Sequence, residues 1–314
     1  MQCTVTQQHR STIALSISMD INVKVEQNVD LGQYTTYNTG GKARYFARAK
    51  DWQTMLGLRE FAKKMQIPFL MLGGGSNILF DDAGYPGLVI LNQMDKVIIQ
   101  HNTITAEGAA SLGRLVILAA QHNLGGISGF SNVPGSVGGG VYGNAGIPDI
   151  SVSDVFMHAV ILPTNENKPL VVGPDYCKFG YRTSRFKETK DIILSATFSL
   201  KPVPSAIVKT EIQQYTKSRG LKQPWGRSCG SFFKNPAEFP SAGWLIEQSG
   251  CKGMKVGGAQ ISEKHANFIM NTGGATSTDI IKLALKVKEK VQEKYKVELH
   301  PEVQIYPKNP FYQS

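Results

Sequence analysis

Acidic residues, cysteines and long apolar runs are all scarce in this chain of 314 residues. The 24 Asp and Glu are outnumbered by 34 Lys and Arg, for a formal charge of +10 and a pI near 9.3. Such a balance attracts anions, whether nucleic acid, a membrane surface or a small acidic substrate. The cations are dispersed, however. Their densest run, residues 282–296, alternates with apolar residues at helical spacing, as the solvated face of a helix does. The four cysteines (Cys3, Cys177, Cys229, Cys251) lie far apart without metal-ligand spacing, so they read as reduced thiols and not as a disulfide framework or a metal site. No stretch reaches the roughly 20 apolar residues of a membrane span, so no membrane insertion is expected. Arg10 stands alone before the mild stretch 11–18, and no cleavage signal follows; a signal peptide is not expected, and the cytoplasm is the expected compartment. Internal repeats, heptads and low-complexity linkers are lacking as well.

What is present is an ordinary globular composition, 41% hydrophobic and 18% charged, with 32 glycines gathered in runs. The length implies two or three domains, since single cores rarely exceed about 250–300 residues. Periodicity predicts helices over 51–65, 111–122, 206–218, 242–248 and 279–295, the last capped by Thr278 or Ser277. Strands are expected at 69–72, 97–100, 103–106, 155–162, 170–172, 191–200, 254–261, 268–271 and 297–306. Recognisable structure is expected only after Met19, with the first 18 residues a tail or the product of an upstream start.

Two glycine blocks stand out. Gly73-Gly74-Gly75-Ser76-Asn77 directly follows a strand, where converging backbone N–H groups and two polar side chains suit a pyrophosphate. It has neither the Lys-Ser/Thr of a Walker loop nor a G-x-G-x-x-G register, and a tight turn accounts for it equally well. The second block, 133–146, is nearly charge-free and interleaves Val and Tyr with glycine, which favours close backbone approach to a planar cofactor over a linker. Downstream, Gly230-Ser231-Phe232-Phe233-Lys234-Asn235-Pro236 holds one hydroxyl between glycine and two rings. Alone it reads as a polar turn before a strand.

These segments carry a resemblance in order along the chain: Asn38-Thr39-Gly40-Gly41, the 73–77 block, Pro134-Gly135-Ser136 with Gly139 and Asn144, Tyr181-Arg182-Thr183-Ser184, the 230–236 loop, 242–247, Gly257-Gly258-Ala259 with His265, and Pro301-Glu302-Val303. Together they resemble the UDP-N-acetylenolpyruvoylglucosamine reductase family over about residues 31–303. The resemblance implies an α+β protein with a two-part FAD-binding region of the PCMH/vanillyl-alcohol-oxidase-like kind, followed by an α+β substrate-binding domain. On that basis residues 1–30 form an N-terminal extension, 31–94 and 95–200 the two FAD-binding parts, 201–298 the substrate domain, and 299–314 a strand returning to the site.

The implied activity is reduction of an enolpyruvyl ether on a UDP-sugar, with noncovalent FAD and with NADPH as co-substrate. The family pattern places Arg182, Ser231 and Glu302 as catalytic residues. Arg182 suits a developing enolate because a guanidinium stays charged and can grip a carboxylate with two bonds. A buried Glu302 could stay protonated and donate to the enolate oxygen, although solvent-facing strand glutamates are commoner. Ser231 would protonate the substrate carbon, with help from Arg182, Lys234 or a water, since serine alone is a poor acid. Asn38, Gly73, Gly74, Gly75, Ser76, Asn77, Pro134, Gly135, Ser136, Gly139 and Asn144 would bind FAD. Tyr181, Lys234, Asn235 and His265 would bind substrate, His265 serving equally well as a structural histidine.

The chain departs from the family pattern at Ile147-Pro148, which leaves the local loop path open, and at Tyr306-Pro307. It lacks a long insertion between Ser184 and Pro224, as in the shorter family type. A monomer without nucleic-acid partners is expected. The alternatives are another FAD-dependent oxidoreductase of the same fold and, more remotely, a basic nucleic-acid-binding protein.

Overall fold

In the computed structural model, which describes residues 12–17 and 21–312, the first unit is a five-stranded sheet with a helix packed on it. Its strand order is Thr12–Ile17, Ile21–Asp30, Lys42–Ala49, Tyr85–Asn92, Phe69–Leu72. The first three strands are antiparallel neighbours, and the remaining two joins are parallel. Helix α1 (Trp52–Lys64) starts where the Asp51 carboxylate accepts the Thr54 amide, and it turns Met55, Leu58, Phe61 and Ala62 into the core. Ile21–Asp30 therefore belongs to this sheet and not to an extension. Its alternating Ile21, Val23 and Val25 give way to the polar run Glu26-Gln27-Asn28, which hides the strand period. The rest of the expected tail, residues 1–11 and 18–20, lies outside the described residues, as does Cys3.

The second unit is an antiparallel sheet ordered Leu170–Val172, Phe156–Leu162, Ile192–Ser199, Thr103–Glu107, Val97–Gln100. Helix α2 (Leu112–Gln121) and α3 (Val137–Gly143) cover it, with the short α4 (Pro174–Cys177) and α5 (Phe186–Thr189) at one end. Much of the second glycine block is thus helix. A Cβ at Gly138 would stand 3.1 Å from the Gly108 carbonyl, and one at Gly140 would stand 3.3 Å from Leu112, so some of these glycines serve helix packing. The departure at Ile147-Pro148 resolves into a small hairpin, Gly146–Ile147 against Ile150–Ser151. Helix α6 (Ser205–Lys222), expected to open the third unit, rests on the second: Ser128 donates to Glu211 at 2.6 Å and Asn132 to Thr216 at 2.7 Å.

The third unit packs α7 (Ala242–Gln248) and α8 (Ser277–Tyr295) around a three-stranded sheet, Lys255–Val256, Ala259–Ile261, Ile269–Asn271. The strand expected over 254–261 is a hairpin, because Gly257-Gly258 makes its two-residue turn. The cap of α8 is Thr276, not Thr278 or Ser277, in a reciprocal box with Asp279. Ser277 and Thr278 instead donate their amides to Asp82 of the first unit. Of the expected strand 297–306 only Gln304–Tyr306 is extended, paired in parallel with Ile78–Phe80 of the first unit. Val297, Leu299 and Val303 before it fill the third core.

Candidate active site

Three distant stretches meet where the C-terminal segment crosses the 230–236 loop. Glu302 donates its amide to the Phe232 carbonyl at 2.8 Å, Lys234 donates its amide to His300, and Phe233 bridges Pro301. On its other side the segment meets the first glycine block: Asn77 Nδ2 donates to the Glu302 carbonyl at 3.2 Å, and Gln304 N donates to Asn77. Asn267, which the sequence did not single out, holds the serine loop. Its carbonyl accepts from Phe232 N, and its buried side chain both accepts from Phe233 N and donates to Phe233 O. It lies in the turn just before Ile269–Asn271, where an asparagine reads as ordinary turn chemistry and gave no signal in the sequence.

Arg182 arrives on a turn closed by reciprocal bonds between Gly180 and Thr183. Its φ of +54° is a left-handed conformation that costs a non-glycine residue about 1 kcal/mol. Asn144, itself at φ +46°, fixes the turn from behind by donating to the Gly180 carbonyl at 3.0 Å, while Ser184 donates to the Tyr142 carbonyl. Lys187 Nζ donates to the Arg182 carbonyl at 2.7 Å, a charge-assisted bond of roughly 1.5–3 kcal/mol that outweighs the strain. So held, the guanidinium places Nε 3.2 Å from Glu302 Oε1, donates to the Gly146 carbonyl and stands over the Tyr181 ring.

The electrostatics follow from this packing. Burial raises the Glu302 carboxyl above its ordinary value, opposed by the charges of Arg182, Lys187 and Lys234. Burial, then Lys234, lowers the Lys187 ammonium to about 8, against the pull of Glu302. A half-buried acid inclined to keep its proton thus faces several cations, an arrangement suited to stabilising a small oxyanion.

The two glycine blocks abut. Ser76 Oγ donates to the Pro134 carbonyl at 2.9 Å, a Cβ on Gly74 would touch Gly135 at 3.3 Å, and one on Gly73 would press on Ser136 Oγ. Ser136 caps α3 by accepting from Gly139 N. A Cβ on Gly135 or Gly139 would meet little beyond the hydroxyls of Ser76 or Ser136, so bare backbone lines the space there. A cleft of about 300 Å³ opens beside it, lined by Tyr34, Thr35, Thr36, Gly73 and Gly74. Asn38 ends the turn that lines this cleft, exposed at φ +53°. A second cleft, about 400 Å³, lies by Trp225, Gln260 and Met270 and includes none of the charged residues above.

The expected substrate residues divide. Lys234 lies near enough to act on both Lys187 and Glu302, and Tyr181 is exposed with its hydroxyl accepting the Asn235 amide at 3.3 Å. The Asn235 side chain is committed to accepting the Ala242 amide at the start of α7. His265 packs at a tilt against the Phe268 ring, accepts the Asn267 amide through Nδ1 and has its imidazolium disfavoured by burial, behind the serine loop. Ser231 itself bridges Phe268 through its backbone. Among the described residues no group of His, Cys, Asp and Glu could hold a metal ion.

Residues 43–160 match the family model of the FAD binding domain, and residues 221–306 that of the UDP-N-acetylenolpyruvoylglucosamine reductase, C-terminal domain. The chain is 37% identical over 286 residues to the UDP-N-acetylenolpyruvoylglucosamine reductase of Synechococcus sp. (strain JA-3-3Ab), across 90% of this chain and 91% of that one. It is 39% identical over 278 residues to the enzyme of that name from Caldicellulosiruptor bescii, across 87% and 88% of the two chains. The crystal structure of UDP-N-acetylenolpyruvylglucosamine reductase from Thermus caldophilus is similar with a TM-score of 0.78 at 30% identity, covering 91% of this chain and 100% of that one.

Proposed function

The chain belongs to the UDP-N-acetylenolpyruvoylglucosamine reductase family, and from that premise we propose how its residues divide the reaction. The activity is FAD-dependent reduction, by NADPH, of the enolpyruvyl ether on UDP-N-acetylglucosamine to UDP-N-acetylmuramate, within peptidoglycan precursor synthesis. Bound FAD supplies a two-electron carrier between NADPH and the terminal vinyl carbon of the substrate. The residues present fit it: Gly73, Gly74, Gly75, Ser76 and Asn77 with Pro134, Gly135, Ser136 and Gly139 would hold it on bare backbone beside the cleft that Asn38 borders. Asn144 contributes from behind, by fixing Gly180.

Once hydride reaches the terminal carbon, negative charge spreads from the adjacent carbon into the carboxylate. Arg182 balances that charge, and Glu302, inclined by burial to keep its proton, donates to the enolate oxygen. Ser231 gives its proton to the adjacent carbon and recovers one from water or a neighbouring cation such as Lys234. Tyr181, Lys234, Asn235 and His265 frame the substrate, the last two by holding α7 and the serine loop in place. The carrying observation is the 3.2 Å contact between Arg182 and Glu302 on the segment that hydrogen-bonds the Ser231 loop. We place the enzyme in the cytoplasm; among the described residues no helix is long and apolar enough to cross a membrane.

The test is Ser231→Ala under anaerobic conditions. It should keep FAD and its reduction by NADPH, yet lose reoxidation by the enolpyruvyl substrate by about two orders of magnitude or more. Retained reoxidation moves the proton donor elsewhere. Cys229 is a poor replacement, because burial pushes its thiol up to about 12 and its sulfur lies 3.3 Å from the Ile78 carbonyl. Wild-type enzyme that reduces other small acids but not this substrate would favour the wider flavoprotein reading.

A further inference from the structure

Arg182 occupies a backbone conformation that its own side chain disfavours, so its position depends on what grips the turn. Lys187, in α5, reaches back five residues to donate to the Arg182 carbonyl at 2.7 Å. The charges around its ammonium come from each neighbouring element: Arg182 on the turn, Lys190 beyond α5, Lys234 on the serine loop and Glu302 on the C-terminal segment. Lys190 in turn donates to the Lys187 carbonyl and, at 3.2 Å, to the Tyr142 hydroxyl, tying the end of α5 to the glycine-rich α3.

We propose that Lys187 is a positioning residue for the reduction: by gripping the Arg182 carbonyl while facing Glu302, it holds guanidinium and carboxyl in register as negative charge develops on the substrate. This role rests on the parts assigned above to Arg182 and Glu302. The grip is strongest while the lysine is charged, and burial together with Lys234 brings its ammonium down to about 8. Register at the Arg182–Glu302 contact therefore loosens as pH rises through that value. Lys187 is only half-buried, so it can be replaced without opening a core.

Two variants test this in FAD-loaded enzyme: Lys187→Met, which keeps the apolar stem, and Lys187→Arg, which keeps a charge that does not titrate in this range. Crystal structures come first, because they need no turnover. In Lys187→Met, Arg182 should leave positive φ and its contact with Glu302 should open well beyond 3.2 Å. Stopped-flow measurement should then show reoxidation by UDP-N-acetylglucosamine-enolpyruvate slowed by about tenfold or more at pH 7, with reduction by NADPH unchanged. In wild type, reoxidation should fall as pH rises through about 8, and in Lys187→Arg it should stay flat across that range. A Lys187→Met structure that keeps Arg182 at positive φ and in contact with Glu302 overturns the proposal. So does a Lys187→Met enzyme with the wild-type rate and pH profile. Failure of wild type to use this substrate would instead sink the functional assignment, while the Lys187→Met crystal structure would still decide whether Lys187 holds the turn.

Discussion

Replacing Arg59 by methionine should destabilise the protein by about 3 kcal/mol. Arg59 lies on α1 of the first unit with only 5% of its surface exposed, and its guanidinium crosses to the second unit. There it donates to the carbonyls of Pro163 at 2.5 Å and Glu166 at 2.6 Å, and to the Asn167 side chain at 2.8 Å. Charge-assisted bonds are worth roughly 1.5–3 kcal/mol each, but the exposed Glu166 and Asn167 acceptors can turn to water when the donor goes. Pro163 is buried, and its carbonyl would lose its partner inside the interface. Methionine preserves an apolar stem at this buried position, so packing changes little. Equilibrium urea unfolding at a fixed FAD concentration measures the difference. Arg59→Lys, keeping a charge but not the fork, should lose less, about 2 kcal/mol. A methionine variant within about 0.5 kcal/mol of wild type would show that these bonds do not join the two units.

Two further outcomes follow from single positions. Burial alone would raise the Asp82 carboxyl, but hydrogen bonds from Thr278 and Ser277 outweigh it and hold the group below its ordinary 3.8. Its contribution is therefore complete above that value and disappears as pH falls through the lower folded value; Asp82→Asn should reduce stability at pH 7 and flatten its decline below about pH 4 in urea titrations. An unchanged acid limb would rule this linkage out. At Gly75, φ is +63° and a Cβ would stand only 1.9 Å from the Tyr34 carbonyl, so Gly75→Ala should purify with little FAD, read from the visible-to-ultraviolet absorbance ratio. Gly73→Ala meets only the movable Ser136 hydroxyl and should keep more.

Helices were legible where one period governs the apolar positions: α1, α2 and α8, and even the short α7, lie within a residue or two of their sequence limits. Ile21–Asp30 was not, since three consecutive polar residues mask its alternation and partner strands supply the pairing. The C-terminal stretch looked uniformly strand-like because apolar residues filling a core irregularly resemble alternation; only pairing with Ile78–Phe80 distinguishes Gln304–Tyr306. At the site, Arg182 and Glu302 were named through the family pattern, and the structure brings them into contact. Lys187 and Asn267 were invisible because their importance lies in backbone carbonyls and amides brought near by folding, which leaves no trace in residue type. Glycine was ambiguous for a related reason. The same absence of a side chain serves helix packing at Gly138 and open space at Gly139.

The crossing of the C-terminal segment between the serine loop and the first glycine block also bears on synthesis. Chains fold from the N-terminus as they emerge, so both glycine blocks, Arg182 and Ser231 exist before the carboxyl that Arg182 meets. A polypeptide stopped before Pro301 would lack Glu302, the backbone bond to Phe232 and the strand beside Ile78–Phe80 all at once. On the parts proposed above, such a polypeptide would present Arg182 and the serine loop without the acid that joins them.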